Sequence, residues 1–140
     1  MEPLQRITER VSRNGHPDQP GTPIYLLTIE EFFDGNVVDG SICCNLYPMP
    51  SPARVRGILD AIVARPDVSD LRVQITAFDD PAWPFSDTIW VVTTASESEV
   101  ASWFPEDLAP NEVWEGWQIS QAYEPCPIPK GSRIIACWWD

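Results

Sequence analysis

The residues able to do chemistry are few, and their spacing limits what that chemistry could be. His16 is the single histidine of the chain, and it stands between Gly15 and Pro17. Nucleophilic catalysis needs a base held beside the nucleophile, so a Ser–His or Cys–His pair has no well-placed base here. One histidine also cannot build an H-E-x-x-H or other His–carboxylate metal cluster. The four cysteines, Cys43, Cys44, Cys126 and Cys137, include no C-x-x-C pair. A zinc site would need all four thiolates, two of them adjacent. Cys43, Cys44 and Cys137 read instead as small residues on strands, with Cys43 and Cys44 on opposite faces. No G-x-x-x-x-G-K-S/T or G-x-G-x-x-G loop offers to cradle a phosphate. No cofactor and no metal site is expected, and the chain reads as non-enzymatic.

Carboxylates are the remaining chemistry. Glu30, Glu31, Asp34 and Asp39 gather around two turn signals, Asp34-Gly35-Asn36 and Asp39-Gly40. They resemble a calcium loop only faintly, because no Glu follows at its twelfth position. Turn formation is the simpler role. Asp79, Asp80 and Asp87 flank Trp83 and could pair as acid and base in the manner of glycosidases, or could be a solvated loop.

Charge distribution says more than any motif. The 140 residues carry 21 acidic and 9 basic side chains, a formal net charge of -12. That balance argues against nucleic acid and anionic membrane surfaces as partners, since both require Lys and Arg. Between Val73 and Pro129 there is no Lys or Arg, while Asp79, Asp80, Asp87, Glu97, Glu99, Glu106, Asp107, Glu112, Glu115 and Glu124 all fall there. The same stretch holds Trp83, Trp90, Trp103, Trp114 and Trp117. One-sided charge steers a basic partner, and Trp is enriched where interfaces concentrate their energy. Trp90 and Trp103 suit a core. Trp114 and Trp117, among acids, suit exposed anchors, and Trp83 is the next candidate. The expected partner-binding set is Asp79, Asp80, Trp83, Asp87, Glu112, Trp114, Glu115 and Trp117.

These residues must be positioned by regular elements. Residues 1–22 read as a polar N-terminal arm with a weak helical pattern (Leu4, Ile7, Val11), ahead of a Gly/Pro linker. Residues 23–140 read as a single α+β domain. Pro23–Phe33 and Ser41–Tyr47 are rich in β-formers and predict a hairpin. Ser51 caps and Pro52 starts a helix whose Val55, Ile58, Leu59, Ile62 and Val63 share one face. Leu71–Phe78 alternates as a half-buried strand, and Thr88–Thr94 is β-branched. Ser96 with Glu99 forms a capping-box signature for a short helix. Residues 106–131 read as irregular, and Ile134–Trp139 as a last strand. The predicted order is β-β-α-β-β-α-β, a mainly antiparallel sheet of about five strands with helices on one face. No apolar run has the length of a signal peptide or a membrane span, so a cytoplasmic location is expected.

Several stretches resemble small uncharacterised bacterial proteins. They are Phe-Phe-Asp-Gly-Asn, Gly-Ser-Ile-Cys-Cys-Asn-Leu, Trp-Pro-Phe-Ser-Asp-Thr-Ile-Trp-Val-Val-Thr, Val-Trp-Glu-Gly-Trp and Cys-Trp-Trp-Asp. In style the chain is similar to immunity proteins of bacterial toxin systems, and that resemblance implies a protein that binds and neutralises a toxin. It carries no site residues with it.

The expectation is a binding protein that docks an acidic, Trp-bearing face onto a basic protein partner, such as a nuclease toxin. A second reading is a small-molecule or carbohydrate-binding domain, with hydrolase chemistry open to it, using the Trp83–Asp87 loop. A third is a structural homodimer that pairs through the Ile134–Trp139 edge.

Overall fold

The computed structural model describes residues 1–140. The elements are α1 (Pro3–Arg10), β1 (Leu26–Leu27), α2 (Ile29–Phe33), α3 (Pro52–Val63), β2 (Val68–Gln74), β3 (Thr88–Thr93), α4 (Glu97–Ser102), β4 (Glu112–Glu115) and β5 (Arg133–Trp138), with a 3-10 turn at Glu106–Leu108. The class is α+β. The five strands form one antiparallel sheet in the order β1-β2-β3-β5-β4.

Side-chain alternation divides this sheet into two faces. Leu71, Val73, Ile89, Val91, Ile135 and Cys137 point inward and share one core with Ile7 and Val11, Phe32 and Phe33, Val55 and Leu59, and Val100. All four helices therefore contribute to the same face. Leu26, Trp90, Val92, Ile134 and Ala136 point the other way and build a smaller cluster, covered by Trp114, Trp117 and Tyr123. Register explains how the tryptophans meet. Ala136 stands opposite both Trp90 and Trp114. Its small side chain leaves room for the two rings to contact edge-on at 6.1 Å.

The order of elements differs from the predicted β-β-α-β-β-α-β. Of the expected first strand, Pro23–Phe33, only Leu26–Leu27 is strand, and Ile29–Phe33 is a helix. Thr28 accepts from the Glu31 N–H while the Glu31 carboxylate takes the Thr28 N–H, a reciprocal cap that starts α2. Ser41–Tyr47 contains no strand, because Cys43 turns the backbone into the left-handed region with φ 58°. Glu112–Glu115, expected to be irregular, supplies the missing edge strand. β5 lies between β3 and β4, so it offers no free edge for a dimer, and that reading is corrected.

The N-terminal segment is also not an arm. Ile7 and Val11 are buried in the main core, and Pro3 packs over Gly35 so closely that a Cβ there would lie 2.4 Å from its ring. Arg10 fixes the segment from the other side. Its guanidinium bonds Glu124 at 2.9 and 3.0 Å and Glu31 at 2.7 Å. Glu124 also accepts the outward Leu26 N–H at 2.8 Å, while Arg10 donates to the Leu26 carbonyl. The ion pair thus satisfies the backbone of edge strand β1 in place of a further strand. Burial pushes the Glu31 carboxyl up, but the Thr28 N–H and Arg10 outweigh that and hold it below the ordinary range.

Candidate functional site

The outer face of the sheet is only partly covered, and the uncovered part is a groove of about 1000 Å³. Its floor is β-sheet: Gln74 from the end of β2, Thr88 and Trp90 from β3, Trp138 from β5, and Glu112 and Trp114 from β4. Residues 17–23 form one wall, and Gln118 and Gln121 contribute to the other. The first wall is pinned where Asp18 accepts the Phe78 N–H at 2.9 Å, and His16 stacks on the Phe78 ring. Tyr25 steadies its base by donating to the Gly15 carbonyl at 2.7 Å. The second wall is tied to the fold by backbone bonds of Ile24 with Ala122 and Glu124 and by the Glu124 side chain.

Groove polarity is one-sided. Asp18, Asp87 and Glu112 line it, and no Lys, Arg or His does. Asp87 Oδ1 is fixed by the Thr76 hydroxyl at 2.6 Å and the Thr88 hydroxyl at 2.8 Å. Glu112 is exposed at the end of β4 and has no ionic partner. Elsewhere the basic residues are largely neutralised. Arg54 pairs with Asp107, Arg56 with Asp34, Arg65 with Asp67, Arg72 with Asp70 and Arg133 with Glu115. Within Val73–Pro129, Asp107, Glu115 and Glu124 have cationic partners, whereas Asp79, Asp80, Asp87, Glu97, Glu99, Glu106 and Glu112 have none.

Of the eight residues expected in a partner-binding set, the groove brings together Asp87, Glu112 and Trp114. Trp117 packs at a tilt against Trp90 and Tyr123, with ring centres 4.6 Å apart in each pair, and borders a separate hollow of about 300 Å³. Glu115 is paired with Arg133 at 3.4 Å. Asp79 and Asp80 are exposed, and Asp80 closes a local turn by accepting the Ala82 N–H. Trp83 is a correction. It is buried at 4% exposure in the main core, and its indole N–H donates to the Phe32 carbonyl. It cannot be an exposed anchor or a platform for a sugar. Asp18 and Trp138 are groove residues that sequence reasoning missed. Trp138 carried a signal, since strand alternation after Ile135 and Cys137 turns it outward; Asp18 carried none.

The cysteines do not converge. Cys43 and Cys137 are buried, Cys44 is exposed, and all four are free. Burial, with a smaller contribution from Cys44, pushes the Cys43 thiol up to about 12. No group of three His, Cys, Asp or Glu side chains comes together in a way that could hold a metal ion. No helix is long and apolar enough to cross a membrane.

A family model described as the "Uncharacterized protein YfbO family" matches residues 2–137. The chain belongs to the YfbO family. It is 49% identical over 140 residues to the Escherichia coli K12 protein described as "Uncharacterized protein YfbO", covering all of both chains. No solved structure matches.

Proposed function

We propose that this YfbO-family protein is a non-enzymatic binding protein that captures a basic partner protein through the outer-face groove. The concrete partner is a toxin with a cationic cleft, such as a nuclease, which makes the chain its immunity protein. One observation carries the reading: a large groove lined by carboxylates and indole rings and by no cation. Such a surface attracts positive charge at a distance and offers aromatic area for contact. Part of the charge expected in the 79–87 loop is therefore reassigned to Asp18, Asp87 and Glu112.

The test uses basic proteins encoded beside the gene. Each is purified, and its association rate is measured as salt rises from about 50 to about 300 mM, over which the screening length falls by a factor of about 2.4. The expected result is a rate that falls about tenfold or more, with D87N/E112Q lowering the low-salt rate toward the high-salt value. Association unaffected by both salt and the double variant would overturn the proposal.

A second reading has its own support. The groove volume matches small-molecule sites, and its mixture of indole, amide and carboxylate groups suits a neutral saccharide. A thermal-shift screen with mono- and oligosaccharides separates the two readings. Stabilisation by a sugar that is insensitive to salt favours the second, and no stabilisation by any sugar counts against it.

A further inference from the structure

We infer that the groove recognises the guanidinium group of an arginine side chain, seated on Trp138 between Asp87 and Glu112. This rests on the basic-partner reading and narrows it from positive charge in general to one chemical group.

Sheet register supplies the geometry. Thr88, Trp138 and Glu112 are direct cross-strand partners on β3, β5 and β4. Direct partners share a face, so the Trp138 indole lies in a row between Thr88 and Glu112. Asp87 adjoins Thr88 and is held by its hydroxyl. A half-buried aromatic ring is thus flanked by a carboxylate on either side, all at the floor of one cavity.

The polar inventory of that floor gives the sign and type of ligand. Most of its donors are already committed. The Trp90 N–H goes to Gln74 Oε1 at 2.9 Å, and the Trp114 N–H goes to the Gly116 carbonyl at 3.1 Å. The hydroxyls of Thr76 and Thr88 both go to Asp87 Oδ1. The Trp138 N–H is the exception. Asp87 Oδ2 and both Glu112 oxygens are left as acceptors. A ligand that fits must bring several N–H donors and positive charge. Anionic groups such as phosphate or carboxylate are repelled.

Guanidinium fits this set better than ammonium. It is planar, stacks on indole, and presents forked donors to carboxylates on either side. Ammonium is a compact point charge that stays strongly hydrated. The fold already uses the combination internally. The Arg65 guanidinium lies 4.1 Å from the Trp103 ring centre while its Nε donates to Asp67 at 3.1 Å. At Trp138 the ring and carboxylates are present, and the arginine is the component a partner would bring.

The experiment titrates the intact protein with two peptides, acetyl-Gly-Arg-Gly-Arg-Gly-amide and its lysine twin, followed by calorimetry. The arginine peptide should bind about tenfold more tightly, the fold-change of one additional charge-assisted hydrogen bond. D87N and E112Q should each bring it down to the level of the lysine peptide, and W138L should remove the preference between the two. Thermal melts confirm that each variant is folded. Equal affinity for the two peptides, with both weakened by E112Q, overturns the guanidinium inference and leaves the basic-partner reading standing. No binding of either peptide overturns the inference, and the basic-partner reading is then judged by its own salt test with whole proteins.

Discussion

Replacing Glu124 by Ala tests the side-chain contribution to holding the second wall of the groove, apart from the backbone bonds between Ile24 and residues 122 and 124. The carboxylate receives Arg10 Nη1 at 3.0 Å, Arg10 Nη2 at 2.9 Å and the Leu26 N–H at 2.8 Å. The Arg10 and Glu124 side chains are only 10% and 14% exposed, so solvent screening is weak. Breaking a buried pair by removing one partner costs about 3–5 kcal/mol. One feature reduces that here: Arg10 keeps Glu31 at 2.7 Å. E124A should therefore cost about 2–3 kcal/mol, read as a lower urea midpoint with unchanged slope. A double-mutant cycle with R10M isolates the pair and should give a coupling of about 1.5–2 kcal/mol. A cost and coupling both under about 0.5 kcal/mol, the range of exposed pairs, would refute the assignment of this network as the wall's side-chain anchor. One member of the network, Glu31, also makes stability depend on pH. The folded Glu31 carboxyl lies below its ordinary value, so its contribution is complete above that value and is lost as pH falls through the folded one. R10M should flatten the stability-versus-pH curve in that acid range.

Other outcomes follow from burial and capping. W83A should destabilise by about 3–5 kcal/mol, since it removes a core indole and its hydrogen bond to Phe32; a change near zero in urea unfolding would return Trp83 to the surface. T28A and S96A should each cost about 1 kcal/mol by uncapping α2 and α4. In the native state a thiol reagent should label Cys44 fast, whereas Cys43 and Cys137 should react only on unfolding; intact-mass kinetics would show the order. G35A should destabilise, because its φ of 77° and the Pro3 ring leave no place for a methyl group.

How much of this was legible depends on where local signals agree with tertiary ones. Ser51, Pro52 and the apolar face at Val55, Leu59 and Ile62 mark α3 without ambiguity, and the helix runs Pro52–Val63. Ser96 and Glu99 mark α4 equally well. Thr28-x-x-Glu31 is the same signature, but β-formers on both sides hide it. A short helix within a β-rich segment is decided by its cap. Ser41–Tyr47 misleads in the opposite way: Ile42 and Cys43 are buried as a strand would bury them, yet one positive φ at Cys43 prevents a strand and Tyr47 stands in solvent. In β4 the run Glu-Val-Trp-Glu does not alternate polar with apolar residues, is only four residues long, and has Pro110 and Gly116 close around it.

The site was legible as charge and composition, not as placement. An indole among Asp79, Asp80 and Asp87 suggests exposure, and nothing local reveals that the loop folds Trp83 back onto Phe32. Asp87, Glu112 and Trp114 come together only because β5 inserts between β3 and β4. That strand order is a non-local fact. Asp18 joins them because the N-terminal helix docks in the core and leads residues 17–23 across the outer face.

The central claim is that the outer-face groove is the binding surface, and indole N–H resonances test it most directly. The seven tryptophans divide by position. Trp90, Trp114 and Trp138 line the groove, while Trp83 and Trp139 are buried in the inner core. In a spectrum of nitrogen-labelled protein with a basic partner added, the first three should shift and the last two should stay fixed. Shifts at Trp83 or Trp139 with Trp90, Trp114 and Trp138 unmoved would contradict the account.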